Sequence, residues 1–281
     1  MLAAAGCASL LGVDDVGYGD GPDAALADAR AQPDSADAGP VDAQDAERDV
    51  AASDAPASDA ALLPGPPMVP AGPATNAFAI DSTEVTFGQY RAFVAAVAGD
   101  ASMQPPVCAF NSVLDPKAFG LDSEPIAGVN WCDARAYCAW AGKRLCGRVV
   151  NGAEAGPLDS TEVRSTTVAQ FTIACSGGGQ VQWPYGGAEV PGICNVGDGG
   201  IGRRADAGSF VKCVGGYPGI HDMVGNVFEW IDFCGPRDGG GTSCIVQGGA
   251  FTSAESFDCR AILSATIDFQ APDVGFRCCS R

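Results

Sequence analysis

Twelve of the 13 cysteines lie at or beyond residue 108, and that crowding limits what this chain can fold into more than any other feature. In a reducing cytosol so many thiols are a liability unless they bind metal. Structural zinc calls for paired CxxC modules with His or Cys partners, and the spacings lack them in a chain with a single His. Disulfides formed outside the cytoplasm are therefore expected. Setting aside Cys7, the twelve that remain suffice for six bonds.

Composition divides the chain in two. Residues 8 to 72 hold 13 Asp or Glu against two Arg, in a background of Ala, Pro, Ser and Gly. Such a segment cannot bury enough apolar surface to offset an ordering cost of ~1 to 2 kcal/mol per residue, so it reads as a disordered acidic tether. From Pro73 to Arg281 aromatics, Gly and Cys mix in a stretch long enough for one core. The net charge of −18 splits into −11 on the tether and −7 on the remainder, which has 21 acids and 14 bases. With no basic stripe, nucleic acid is excluded as a partner. No segment approaches the ~20 apolar residues that span a bilayer.

Residues 1 to 7, MLAAAGC, end in a sequence that resembles the bacterial lipobox, whose Cys is diacylated. The resemblance implies lipidation of Cys7 and an acidic tether leading from the cell envelope to the domain. A basic n-region and a longer apolar run are missing, which implies a start site further upstream.

Within the domain, AFAIDSTEV (Ala77 to Val85) alternates Phe78 and Ile80 with polar neighbours and predicts a first strand. Thr86 with Gln89 forms a capping-box pattern before the helix FGQYRAFVAAV, whose Phe87, Tyr90, Val94 and Val97 share a face. A second helix starts at Asn130 and stops at Gly142, with Trp131, Ala134, Cys138 and Ala141 inward. Residues 151 to 220 are rich in Gly and short of helical period, so they read as long loops pinned by Cys175, Cys194 and Cys213. Cys278 and Cys279 are adjacent, and successive strand side chains face opposite ways, so they should bond different partners. Cys132 needs its own mate. Cys234 and Cys244 flank the turn GPRDGGGTS and can close it locally, although sequence leaves the connectivity open.

Five stretches occur in order: EVTFGQYRAF, VNWCDARAYCAWAGKRL, HDMVGNVFEW, QGGAF and VGFRCC. Together they resemble the formylglycine-generating enzyme and sulfatase-modifying factor family. The resemblance implies one α+β domain, residues 73 to 281, with the sulfatase-modifying-factor variant of the C-type lectin fold, loop-rich and disulfide-braced. It weakens between Cys146 and Tyr217, where the family's usual PTEAEWE is replaced by CGRVVNGAEAG. It also implies a bond from Cys138 to Cys278, closing a loop of ~140 residues for about 4 to 5 kcal/mol in the chain-entropy model.

For chemistry, the family binds calcium in the GNxxEW stretch through roles that fall on Asp222, Gly225, Val227 and Glu229. Carboxylates and carbonyls presented by one tight turn suit that hard cation. A second family site begins with an Asn and the next carbonyl, here Asn195 and Val196, and its acidic ligand stays open between Asp198 and Asp206. The family's oxidase places two cysteines after the GG-aromatic motif, whose thiolates hold copper(I). Those positions fall on Ser253 and Asp258, with Cys259 one residue late. Copper and formylglycine-generating oxidation are therefore not expected. His221 reads as a surface residue, and Arg260 and Arg277 as structural anchors. Two functions remain open: a non-oxidase surface module binding peptide or glycan, and a diverged enzyme of the family acting on a peptidyl or small-molecule substrate.

Overall fold

The computed structural model describes residues 64–150, 153–253 and 257–280. Cys7 and the acidic segment up to residue 63 lie outside the described residues. Folded structure begins earlier than composition suggests, because β1 (Met68–Ala71) pairs antiparallel with β2 (Phe78–Asp81). Its sequence MVPA sits among Pro and Gly and reads as linker. Pro70 is accommodated because β1 is an edge strand, where a missing N–H costs no ladder bond.

Both expected helices form where their caps place them. In α1 (Phe87–Val97), the Thr86 hydroxyl accepts from the Gln89 N–H, and the Gln89 side chain accepts from the Thr86 N–H at 2.9 Å. In α2 (Trp131–Trp140), Asn130 and Asp133 make the same reciprocal box, at 2.9 and 3.0 Å. That helix ends in a Schellman turn. Lys143 N–H donates to Cys138 C=O and Gly142 N–H to Ala139 C=O, with Gly142 at φ 72°.

Downstream of α2, β3 (Arg144–Leu145) leads to a small hairpin of β4 (Arg148–Val150) and β5 (Ala153–Gly156). The stretch expected to be loops contains a third helix, α3 (Gln170–Ser176), and all seven of its residues are buried. A helix with no polar face has no period to read. Its N-cap, Ala169, gives no side-chain signal either.

Strands β6 (Phe228–Pro236), β7 (Thr242–Gln247), β8 (Ile262–Thr266) and β9 (Val274–Phe276) form a four-stranded sheet of order β8-β7-β6-β9, with β9 parallel to β6. The other four-stranded sheet has order β1-β2-β10-β3, where β10 is Cys278–Cys279.

Two apolar cores result. One packs Tyr90, Phe93, Tyr137, Trp230 and Phe276 beneath α1 and α2. The second gathers Ile80, Phe171, Ile173, Met223, Ile231 and Ile245. Cys278 belongs to the first and Cys279 to the second, so β10 joins them. Six disulfides use all twelve cysteines: Cys108–Cys132, Cys138–Cys278, Cys146–Cys279, Cys175–Cys259, Cys194–Cys213 and Cys234–Cys244. The alternation of strand side chains thus sends the two neighbouring cysteines to opposite cores. Among the described residues no helix is long and apolar enough to cross a membrane.

Candidate functional site

The Gly225-Asn226 turn is built from three residues in left-handed backbone: Asp222 at φ 55°, Gly225 at 87° and Asn226 at 61°. Gly is required at 225, where a Cβ would lie 2.7 Å from the Asn195 carbonyl oxygen. Asn226 is the hub of the loops around it. Its side-chain oxygen accepts from Ala205 N–H at 2.9 Å and from the Asn195 amide at 3.1 Å. Its N–H donates to Asn195 C=O, and its own carbonyl accepts from Phe251 N–H. The loop at 195 also reaches the next motif, since a Cβ on Gly197 would lie 2.4 Å from the Ser253 carbonyl oxygen. Asn195, Gly225 and Ser253, far apart in sequence, are thus brought into one neighbourhood.

Beneath that turn lies a buried ionic centre. Arg277, 1% exposed, grips Glu229 through Nε and an Nη, both at 2.7 Å. Its remaining donors reach the carbonyls of Asp222 at 3.1 Å and Asp81 at 3.3 Å. Burial works against the charged guanidinium, and the carboxyl groups around it, Glu229 foremost with Glu84 and Asp222, together offset it and hold the Arg277 pKa above its ordinary value. Alongside, Lys143 Nζ binds the Asp81 carboxylate at 2.5 Å and the Pro66 carbonyl at 3.1 Å, while Cys278 N–H donates to Asp81 at 2.9 Å. Glu84 completes the centre with both carboxyl oxygens unpartnered among the described residues. Burial raises its pKa well above the usual carboxylate value, and Asp222 and Glu229 add to that while Arg277 opposes it. Sequence reading found Arg277 as an anchor and missed Asp81, Glu84 and Lys143, because nothing local marks a partner 62 or more residues away.

The calcium sets expected at these positions can be tested against the donors. Both Glu229 oxygens, the strongest ligands of the first set, are matched by Arg277, and Asp222 Oδ2 accepts from Gly208 N–H at 2.6 Å. In the second set, Asn195 Oδ1 accepts from Ile201 N–H at 3.0 Å, its carbonyl from Asn226 N–H at 2.9 Å, and the Val196 carbonyl from Gly199 N–H at 3.1 Å. Among the described residues no three acidic, His or Cys side chains group to hold a metal. As folded, the Glu229 carboxylate of the first set already has a guanidinium as its counter-charge, and the Asn195 and Val196 oxygens of the second set each already accept an N–H.

The positions that carry the oxidase cysteines in the resembled family hold no thiol. Ser253 is buried, with its hydroxyl accepting from Ala250 N–H at 2.9 Å. Asp258 accepts from the Gln182 amide at 3.1 Å and from Arg260 N–H at 2.8 Å. Cys259 is bonded to Cys175. A copper(I) dithiolate needs two free soft donors, and these residues do not fit it. His221 is half-buried on a bridge to Val214, with its N–H on Ser82 C=O, and is not the surface residue its loop context suggests.

A sulfatase-modifying factor enzyme 1-like domain matches residues 49–281, and the chain belongs to that family. Its fold, mixed in helix and sheet with few helices and six disulfides, is the family's C-type-lectin-like one. The formylglycine-generating enzyme of Thermomonospora curvata is 29% identical over 192 residues, covering 56% of this chain and 55% of the relative. A Bos taurus protein named inactive C-alpha-formylglycine-generating enzyme 2 is 35% identical over 116 residues, covering 38% of this chain and 32% of its own. The chain thus spans about half the length, or less, of these relatives. PvdO from Pseudomonas aeruginosa matches in structure with a TM-score of 0.50 at 20% identity, over 72% of this chain and 80% of that one, a likeness of fold alone.

Proposed function

We propose that this chain is an extracytoplasmic, non-oxidase member of the family, a disulfide-locked module that binds a peptide or glycan. Support comes above all from Cys259: in its bond to Cys175 it has no thiol to offer, and neighbouring Ser253 and Asp258 are spent on backbone and amide donors. Resemblance to a relative named inactive points the same way. On this reading Cys7 carries the lipid and the acidic segment after it holds the domain off the envelope.

The test is a count of thiols. The denatured, non-reduced chain is alkylated and peptide-mapped, and separately incubated with copper(I), oxygen and a sulfatase-type cysteine peptide. Zero labels on the twelve domain cysteines and no aldehyde product are expected. Labelling of Cys259, or formylglycine in the peptide, overturns the proposal in favour of a diverged enzyme.

A further inference from the structure

Next to the segment that carries Asp258 and Cys259 lies a cleft of ≈ 350 Å³ that none of the family motifs absorbs. Its lining includes Gln180, Val181, Tyr185, Lys212, Gly215 and Gly216. One wall, residues 176 to 185, is fastened by the Cys175–Cys259 bond, by Cys259 N–H on Gln182 C=O at 3.0 Å and by the Gln182 amide on Asp258. The facing wall, residues 212 to 216, is fastened by Cys194–Cys213. Glycine backbones meet where the walls join, since a Cβ on Gly216 would fall 1.9 Å from the Gly177 nitrogen. Both walls are therefore set before any ligand arrives, which lowers the entropy lost on binding.

The chemistry offered inside is narrow. Most main-chain donors of the lining are spent: Gly177 N–H goes to Ile173 C=O, Gln180 and Val181 to Ser176, Gly215 to Ile220 and Gly216 to Ala174. An extended peptide recognises its partner through open main-chain edges, and these amides provide none. What remains is side chain. Tyr185 is half-buried and presents a ring, Gln180 is exposed and offers both an amide donor and an acceptor, and Lys212 is exposed. Among the described residues no carboxylate pairs with Lys212. That ammonium offers the cleft a cation for an anionic group, while the Glu189 carboxylate acts on the neighbouring Tyr185 hydroxyl. The volume is at the lower end for small-molecule sites, enough for one ring and its substituents.

We infer that the cleft between residues 176–185 and 212–216 binds a carboxylate-bearing sugar unit, with Lys212 on the carboxylate, Tyr185 against the ring and Gln180 on a hydroxyl. The inference rests on the ligand-binding reading above and narrows it to an acidic glycan.

The test is an NMR titration of the full chain with methyl β-glucuronide, methyl β-glucoside and a short blocked acidic peptide. Shifts at Gln180, Tyr185, Lys212 and Gly216 are expected with the glucuronide, with binding roughly tenfold weaker for the glucoside. Exposed Lys212→Gln should bring the glucuronide down to the glucoside's level, and Tyr185→Ala should weaken both sugars. Equal affinity for the two sugars, shifts elsewhere or none, an unaffected Lys212→Gln variant, or tighter binding of the peptide each overturns the assignment. Thiol counting keeps the two failures apart. Unlabelled cysteines with a silent cleft remove only the sugar site, whereas a labelled Cys259 removes the non-oxidase reading.

Discussion

The ionic centre around Arg277 and the cleft beside Cys259 are both rigid, and they reach rigidity by opposite means. In the centre, Arg277 is matched by Glu229 and Lys143 by Asp81, all four buried, and Glu84 beside them keeps its carboxyl oxygens unpartnered among the described residues, so nothing is directed at solvent. At the cleft, the walls are held by Cys175–Cys259 and Cys194–Cys213, and the exposed Gln180 and Lys212 side chains between them are left facing solvent. A self-satisfied polar group cannot bind anything further without losing a partner. Covalent staples hold geometry without using up donors and acceptors, so the stapled region is the one free to bind.

The largest way to break that contrast is Arg277→Met. Leaving Glu229 buried beside no cation should cost about 3 to 5 kcal/mol in denaturant unfolding. A loss under about 1 kcal/mol would mean the centre is not held by charge. Next in size is Cys194→Ala with Cys213→Ala. These residues are 19 apart, and the chain-entropy model gives about 3 kcal/mol for that loop. Sugar binding should fall together with stability in this variant, and unchanged binding would separate the staple from the cleft.

A smaller effect concerns Asp133. Burial pushes its carboxyl up to about 6, against hydrogen bonds from Asn111, the Asn130 N–H and Gln270. A raised pKa means the folded chain takes up this proton before the unfolded chain does. From this group alone, stability rises as pH falls from above 6 toward the unfolded value near 4, and is lost as pH rises through about 6. Carboxyl-carbon NMR should find the midpoint near 6, and a midpoint near 4 contradicts it. The smallest expected effect is none: neither calcium nor its chelation should move the melting temperature. A rise of several degrees with added calcium would show that Glu229 and Asp222 serve an ion as well as Arg277.

What the sequence disclosed follows the range of each signal. Thr86 with Gln89, Asn130 and Gly142 each act within one turn of a helix end; both helices begin, and α2 stops, where those residues direct. Helix α3 escaped because all seven of its residues are buried, and β1 because Pro70 disguised an edge strand as linker. At the site, Glu229 was read as a ligand because the turn that carries it suits a metal. The guanidinium that grips it, Arg277, lies 48 residues on, and no spacing rule reaches that far. The cleft had no motif at all: its walls are pinned separately, by Cys175–Cys259 across 84 residues and by Cys194–Cys213, and meet through Gly216 N–H on Ala174 C=O.

The two-residue strand β10 sets a timetable for making the protein. Cys138 and Cys146 leave the ribosome 140 and 133 residues ahead of the partners they need. At ~5 to 20 residues per second they wait roughly 7 to 28 s as open thiols, with Cys108, Cys132 and Cys175 within reach. Mispaired bonds made in that interval must be undone before the last sheet can close. Yield of the native form therefore depends on disulfide shuffling in the compartment where the chain matures, and a host with an oxidant but no isomerase should accumulate full-length, scrambled protein.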